Sequence, residues 1–198
     1  MVKQAWLSLL IILLIPVFLF VLIIVHELGH TTAARLLGDP GAVFYLADKT
    51  EESRCIGCTY YDVSKLSWGA NLTVSLAGLL AGQLVAVTAL LLLQVHYMSN
   101  RWLRLFFSMT ALTFAFSDIP WQVLQALTAN LGRNQWPTGA DLVDFLLLLQ
   151  MRFDLSPLLL KGFLLLIAGL YLARFLWLYR RNRAAQTLWK PFVETSEA

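Results

Sequence analysis

His26-Glu27-Leu28-Gly29-His30 decides how this chain is read, because of the run that leads into it. From Trp6 to Val25 there is no charged residue. An apolar stretch of about 20 residues is long enough to cross a bilayer as a helix. Two histidines and a glutamate then fall at membrane depth, where ionisable groups are costly and usually mark a functional site. Residues four apart on a helix lie above one another, so His26 and His30 face the same way. Glu27 is turned aside by about 100°. This His-Glu-x-x-His spacing is the one with which a zinc metalloprotease holds its metal and places its general base. The competing reading is a metal-free cluster of hydrogen-bonded side chains between helices. All three ionisable residues of the apolar span coincide with the pattern, which favours the metal.

The rest of the composition agrees with a membrane setting. Of the 198 residues, 59% are hydrophobic and 14% are charged, and the mean hydropathy is +0.68. Soluble domains carry about a quarter charged residues. The net charge of +3 is modest and unclustered, so nucleic-acid binding is not expected. The predicted fold is a single membrane-embedded domain over residues 1–198. It is all-α and polytopic, with about four transmembrane helices and a small β-hairpin-like loop. The spans fall roughly at 6–37, 68–95, 102–127 and 157–179. Gly38-Asp39-Pro40-Gly41 stops the first helix. The loop 38–66 holds two β-like pieces, 42–47 and 58–63. A helix over 140–151 is too short to cross and reads as re-entrant or interfacial, and 180–198 is a polar tail. The N-terminal apolar run is too long for a signal peptide, so its retention is expected. Four spans put both termini on one side. Arg180, Arg181, Arg183 and Lys190 in the tail, with Arg101 and Arg104 in the second connection, place that side in the cytoplasm.

A catalytic zinc takes three protein ligands and keeps one position open. His96, the only other histidine, sits at the far end of the second span. An oxygen ligand is therefore expected, from Asp118, Asp141, Asp144 or, more remotely, Asp62. Asp141 is favoured because it leaves the loop Asn134–Ala140 to begin a short apolar helix. Irregular backbone at membrane depth is tolerated where it borders a polar cavity. Asp144, one turn later, suits a partner that orients a ligand histidine. Asn71 either bonds an extended substrate backbone or caps its helix. Gly78 and Gly82 form a small-residue pair that permits close helix approach. Cys55-Ile56-Gly57-Cys58 holds the only two cysteines, which excludes a four-cysteine zinc site. The pair is expected as a disulfide in an oxidising compartment or as free thiols otherwise. Trp6, Trp68, Trp102 and Trp136 read as an interfacial belt, and Lys161 and Arg174 as snorkelling cations.

With these residues in hand, the chain resembles the site-2 protease family of intramembrane zinc metalloproteases over roughly residues 20–150. Three landmarks carry the resemblance. One is His26-Glu27-Leu28-Gly29-His30 followed by Thr31-Thr32-Ala33-Ala34-Arg35. Another is Asn71 with Ser75-Leu76-Ala77-Gly78-Leu79-Leu80-Ala81-Gly82-Gln83. The last is Asn134, Pro137 and Asp141, similar to the family's segment ending in Leu-Asp-Gly. The resemblance implies Zn2+ held by His26, His30 and Asp141, with Asp118 and Asp144 as alternative third ligands. It implies catalysis through Glu27, substrate positioning by Asn71 and Gln83, and a hairpin that guides substrate. The implied partners are the lipid bilayer and a membrane-protein substrate with a transmembrane segment.

Departures mark a compact, divergent member. Leu79 stands where proline is usual, Gly82 where asparagine is common, and Leu142 where glycine follows the aspartate. An extra span separates the last two landmarks, and no appended peptide-recognition domain is expected. Other membrane zinc proteases take a glutamate as third ligand, but Glu51, Glu52, Glu194 and Glu197 lie in the hairpin loop or tail. The non-enzymatic alternative is a catalytically silent membrane adaptor that retains the fold and binds transmembrane partners. Retention of Glu27 argues against it.

Overall fold

The computed structural model describes residues 2–50, 53–94, 100–131 and 140–182. Asn134, Pro137, His96, the Glu51–Glu52 connection and the tail beyond residue 182 lie outside the described residues. The order of elements is α1 (Val2–Leu37), β1 (Val43–Thr50), β2 (Ser53–Tyr60), a 3-10 turn (Val63–Lys65), α2 (Trp68–Gln94), α3 (Arg101–Thr128), α4 (Asp141–Phe153) and α5 (Pro157–Arg181). The protein is thus mostly helical with one antiparallel two-stranded sheet.

Among the described residues, three helices are long and apolar enough to cross a membrane: Ile12–Leu37, Trp68–Gln94 and Pro157–Arg181. The sequence predicts four. The difference is α3, which is 28 residues long but less apolar, because Ser108, Asp118 and Gln122 interrupt it. These three side chains are buried, whereas Leu13, Leu84 and Leu158 are 63%, 69% and 81% exposed. Polar groups inside and large apolar groups outside is the arrangement a bilayer selects.

The ends of the helices follow local chemistry. Gly38 takes φ +137°, a conformation that costs glycine little. It lets the Asp39 N–H close back on the Ala34 carbonyl at 2.9 Å, which terminates α1. Asp154 at φ 53° ends α4, and Pro157 occupies the first turn of α5. Lys161 does not snorkel outward. Its ammonium donates to the Leu127 and Ala129 carbonyls at 2.8 and 2.7 Å, where a cation complements the C-terminus of α3. Arg174 lies 4.2 Å over the Trp177 ring. Trp68 donates to the Leu148 carbonyl, which ties the start of α2 to α4.

α3 belongs to both halves of the core. Phe114 packs with Leu22 of α1, Leu93 of α2 and Phe175 of α5. One turn and more further on, Val123 packs with Leu146 and Leu147 of α4 and Leu160 of α5. Between α1 and α2 the backbones approach closely. A Cβ at Gly29 would lie 2.5 Å from the Ala77 carbonyl oxygen and 2.8 Å from the Ala81 Cβ. In lipid, such tight packing replaces the hydrophobic effect as the source of helix association.

The hairpin is longer than the sequence predicts. Pairing runs from Val43–Tyr60 out to Thr50–Ser53, through the charged stretch that reads as a loop. Backbone hydrogen bonds set this pairing, and polar residues make them as well as apolar ones do. At the other end β2 stops at Tyr60, and Val63 starts a 3-10 turn instead of ending a strand. Cys58 is disulfide-bonded, and Cys55 is the only other cysteine.

Asp39 anchors the base of the hairpin. Its Oδ2 accepts the Asp62 N–H at 2.7 Å, and its Oδ1 accepts the Gly41 N–H and the Lys65 ammonium, each at 3.1 Å. The Asp62 N–H and Lys65 hold its carboxyl below the usual range. A depressed carboxyl contributes stability that is present above its unfolded pKa of about 3.9 and is lost as pH falls through the folded value. The anchor is therefore intact at neutral pH. An Asp39→Asn amide must turn its own NH2 toward one of these three donors. Faster hydrogen exchange at the Asp62 amide at pH 7 is the expected result; exchange unchanged from the wild type would contradict this role.

Candidate metal centre

His26 lies in the C-terminal half of α1, within the segment Ile12–Leu37 that is long and apolar enough to cross a membrane. The two imidazoles stack one turn apart on α1, with their Nε2 atoms 3.1 Å from each other. Both residues are buried. Asp141 comes from the first turn of α4, where a carboxylate is favoured by the helix dipole. Its Oδ2 is 2.6 Å from His26 Nε2 and its Oδ1 is 3.0 Å from His30 Nε2. Among the described residues, His26, His30 and Asp141 form a group that could hold a metal ion.

The hydrogen bonds behind the ligands test the fit. His26 Nδ1 faces Asp118 Oδ2 at 3.0 Å, and His30 Nδ1 faces the Val74 carbonyl at 2.6 Å. Both partners accept, so each Nδ1 carries the proton, and in the neutral ring each Nε2 presents a lone pair to the same point. Two lone pairs and a carboxylate at these distances repel unless a cation or shared protons lie among them. Tetrahedral ligation with bonds of about 2.0–2.1 Å sets ligand atoms about 3.3 Å apart. The observed contacts of 2.6–3.1 Å need to open by about 0.2–0.7 Å for such an ion. Asp118, Asp141 and Glu27 also bring three carboxylates in among apolar helices, where a divalent cation would offset their cost.

α2 makes room for the pair. A Cβ on Gly78 would collide with the His30 ring and sit 2.7 Å from Cδ2 and Nε2 of His26. Glycine is therefore needed by the imidazoles themselves, beyond the helix packing the sequence indicates.

Glu27 sits between the metal-facing side of α1 and the hairpin. Its carbonyl accepts from Thr31 Oγ1 at 3.0 Å and from Thr59 Oγ1 of β2 at 2.8 Å. At Gly57, φ is +72°, and a Cβ there would strike Ile23 and meet Glu27 Cγ at 3.2 Å. The hairpin thus lies directly on the motif.

The other sequence-selected residues fall elsewhere. Asp118 is buried on the far side of His26, bonded to the nitrogen that does not face Asp141, so it stands outside the converging group. Asp144 is outside the converging group. Asp62 caps the 3-10 turn through Ser64. Asn71 donates to the Val63 and Leu66 carbonyls at 3.1 and 3.2 Å, holding the hairpin exit against α2. Gln83 donates to the Phe114 carbonyl and accepts from Tyr171, linking α2, α3 and α5.

Comparison with protein families, curated proteins and solved structures finds no match. The site must therefore be argued from its own geometry. Two of its parts escape the sequence reading. The Val74 carbonyl leaves no residue signal. Gln122, whose Nε2 donates to Asp141 Oδ2 at 3.0 Å, does leave one: it follows Asp118 by four residues on an otherwise apolar helix face.

Proposed function

We propose that this chain is an intramembrane zinc metalloprotease, similar to the site-2 protease family, that hydrolyses a peptide bond in or near a transmembrane segment of a membrane protein. The observation that carries the reading is the convergence of His26 and His30, next to Glu27 in the C-terminal half of the apolar helix α1, with Asp141 at the head of α4. His26 and His30 would hold zinc through Nε2 and Asp141 through its carboxylate. Zinc bound there would supply a Lewis acid that polarises the scissile carbonyl and acidifies water.

The chain's own residues supply the rest. Glu27 takes a proton from the attacking water onto its carboxylate and returns it to the leaving amine nitrogen. Water adds across the amide, so one acid and one amine result. Asp118 and the Val74 carbonyl keep both Nδ1 protons in place while this happens. The hairpin, fixed to α1 at Glu27 and anchored by Asp39, borders the site on the side where substrate backbone must be unwound.

In this reading α1, α2, α3 and α5 cross the bilayer and α4 is re-entrant. At 1.5 Å per residue, α3 is roughly 42 Å long, enough to span, whereas α4 reaches only about 20 Å. The arginines at the end of α5 favour termini in the cytoplasm. The test is cleavage of a single-span reporter in proteoliposomes by the zinc-loaded wild type and by Glu27→Gln. Hydrolysis by the wild type alone supports the protease. Equal hydrolysis by both, or none by either, removes it and leaves the silent adaptor.

A further inference from the structure

We infer that α3 is the orienting layer of the metal centre, with Asp118 and Gln122 acting as positioning residues for His26 and Asp141; this rests on the metal reading above. The two side chains are one turn apart on the same face, and both are buried. Each ends on a ligand residue. Asp118 accepts from His26 Nδ1, and Gln122 donates to Asp141 Oδ2. Asp118 thereby fixes the tautomer that leaves Nε2 free to bind metal, and it raises the basicity of the ring. Gln122 holds the Asp141 carboxylate in the rotamer that meets both imidazoles.

Two further observations support a dedicated role. Asp141 can only accept, so the Gln122 amino group must face it. That leaves Gln122 Oε1 buried without a partner among the described residues, an arrangement that unconstrained packing would avoid. A glycine also eases the approach of Asp118. A Cβ at Gly82 would stand 3.3 Å from Asp118 Oδ2, tighter than usual packing allows. α2 thus offers Gly78 to the imidazoles and Gly82, one turn on, to the carboxylate behind them. Pro120 lies between Asp118 and Gln122 and removes one backbone hydrogen bond from this stretch of α3.

The experiment is zinc affinity by chelator competition on the full chain in detergent, with cobalt absorption spectra as a second readout. Asp118→Ala and Gln122→Ala are each expected to weaken zinc about 10–100-fold and to shift the cobalt spectrum. Asp118→Asn keeps an acceptor oxygen for Nδ1–H and is expected to recover most of the loss. Tyr171→Phe breaks the α5 link to Gln83 and is expected to leave affinity unchanged, which separates positioning from general helix packing. Wild-type affinity in both alanine variants overturns the inference. So does an Asp118→Asn variant as weak as Asp118→Ala, or a Tyr171→Phe variant as weak as either. A wild type that takes up no zinc removes the metalloprotease reading and this inference with it. Tight wild-type binding that both alanine substitutions leave intact removes the positioning role alone.

Discussion

Glu27→Gln is expected to keep its zinc and to lose peptide hydrolysis by about 10²–10⁴-fold, the range general acid–base catalysis contributes. The amide is close in shape to the carboxylate but cannot take a proton from water at neutral pH. The atoms that could hold a metal belong to His26, His30 and Asp141, so their geometry has no reason to change. Glutamine keeps the size of the side chain that packs beside Gly57 of β2, and the Thr59 hydroxyl keeps the Glu27 carbonyl as its acceptor, so the hairpin also stays in place. Zinc content and reporter cleavage, measured on the same preparation, check this. Loss of zinc in Glu27→Gln would make the glutamate part of the site's framework; full activity would take the proton transfer away from it.

Gly78→Ala is expected to abolish zinc binding, a loss beyond the roughly 100-fold that follows removal of an outlying hydrogen bond. The added methyl falls on the His30 ring and 2.7 Å from His26 Nε2, the atom that must meet the metal. The rings cannot retreat easily, because Asp118 and the Val74 carbonyl hold them from behind. Alanine is also a better helix former than glycine, by about 1 kcal/mol, so weaker α2 structure would not explain the loss. Gly29→Ala presses on the Ala77 backbone and Ala81 without touching the rings. It should loosen the α1–α2 contact while sparing the metal more. Chelator competition on both variants distinguishes the two effects, and a Gly78→Ala variant with wild-type zinc affinity contradicts the geometry described for the site.

Much of the fold is legible from the chain. Apolar runs bounded by Gly38, Trp68, Pro157 and the terminal arginines place α1, α2 and α5 within a few residues. The His-Glu motif and the acid at the head of α4 lead to the trio that could hold a metal, because few residue types bind zinc and few of those lie near the apolar spans. The hairpin's outer half was hidden, since backbone pairing over 48–50 and 53–55 needs no apolar alternation. The orienting contacts were hidden for another reason. Whether Asp118 joins the ligands or backs one of them depends on which imidazole nitrogen it meets, and that follows from the packing of α3 against α1. Gly78 was visible only as a packing glycine, because the rings it accommodates are about fifty positions away in sequence.

The central claim is that His26, His30 and Asp141 bind one zinc ion inside the membrane domain. Elemental analysis of the purified chain in detergent tests it most directly, for the wild type, His26→Ala and Asp141→Ala after zinc reconstitution and removal of excess metal. The account predicts about one zinc per wild-type chain and essentially none in either variant, as expected when one of three protein ligands is lost. A wild type without zinc, or an Asp141→Ala variant that keeps it, would contradict the account.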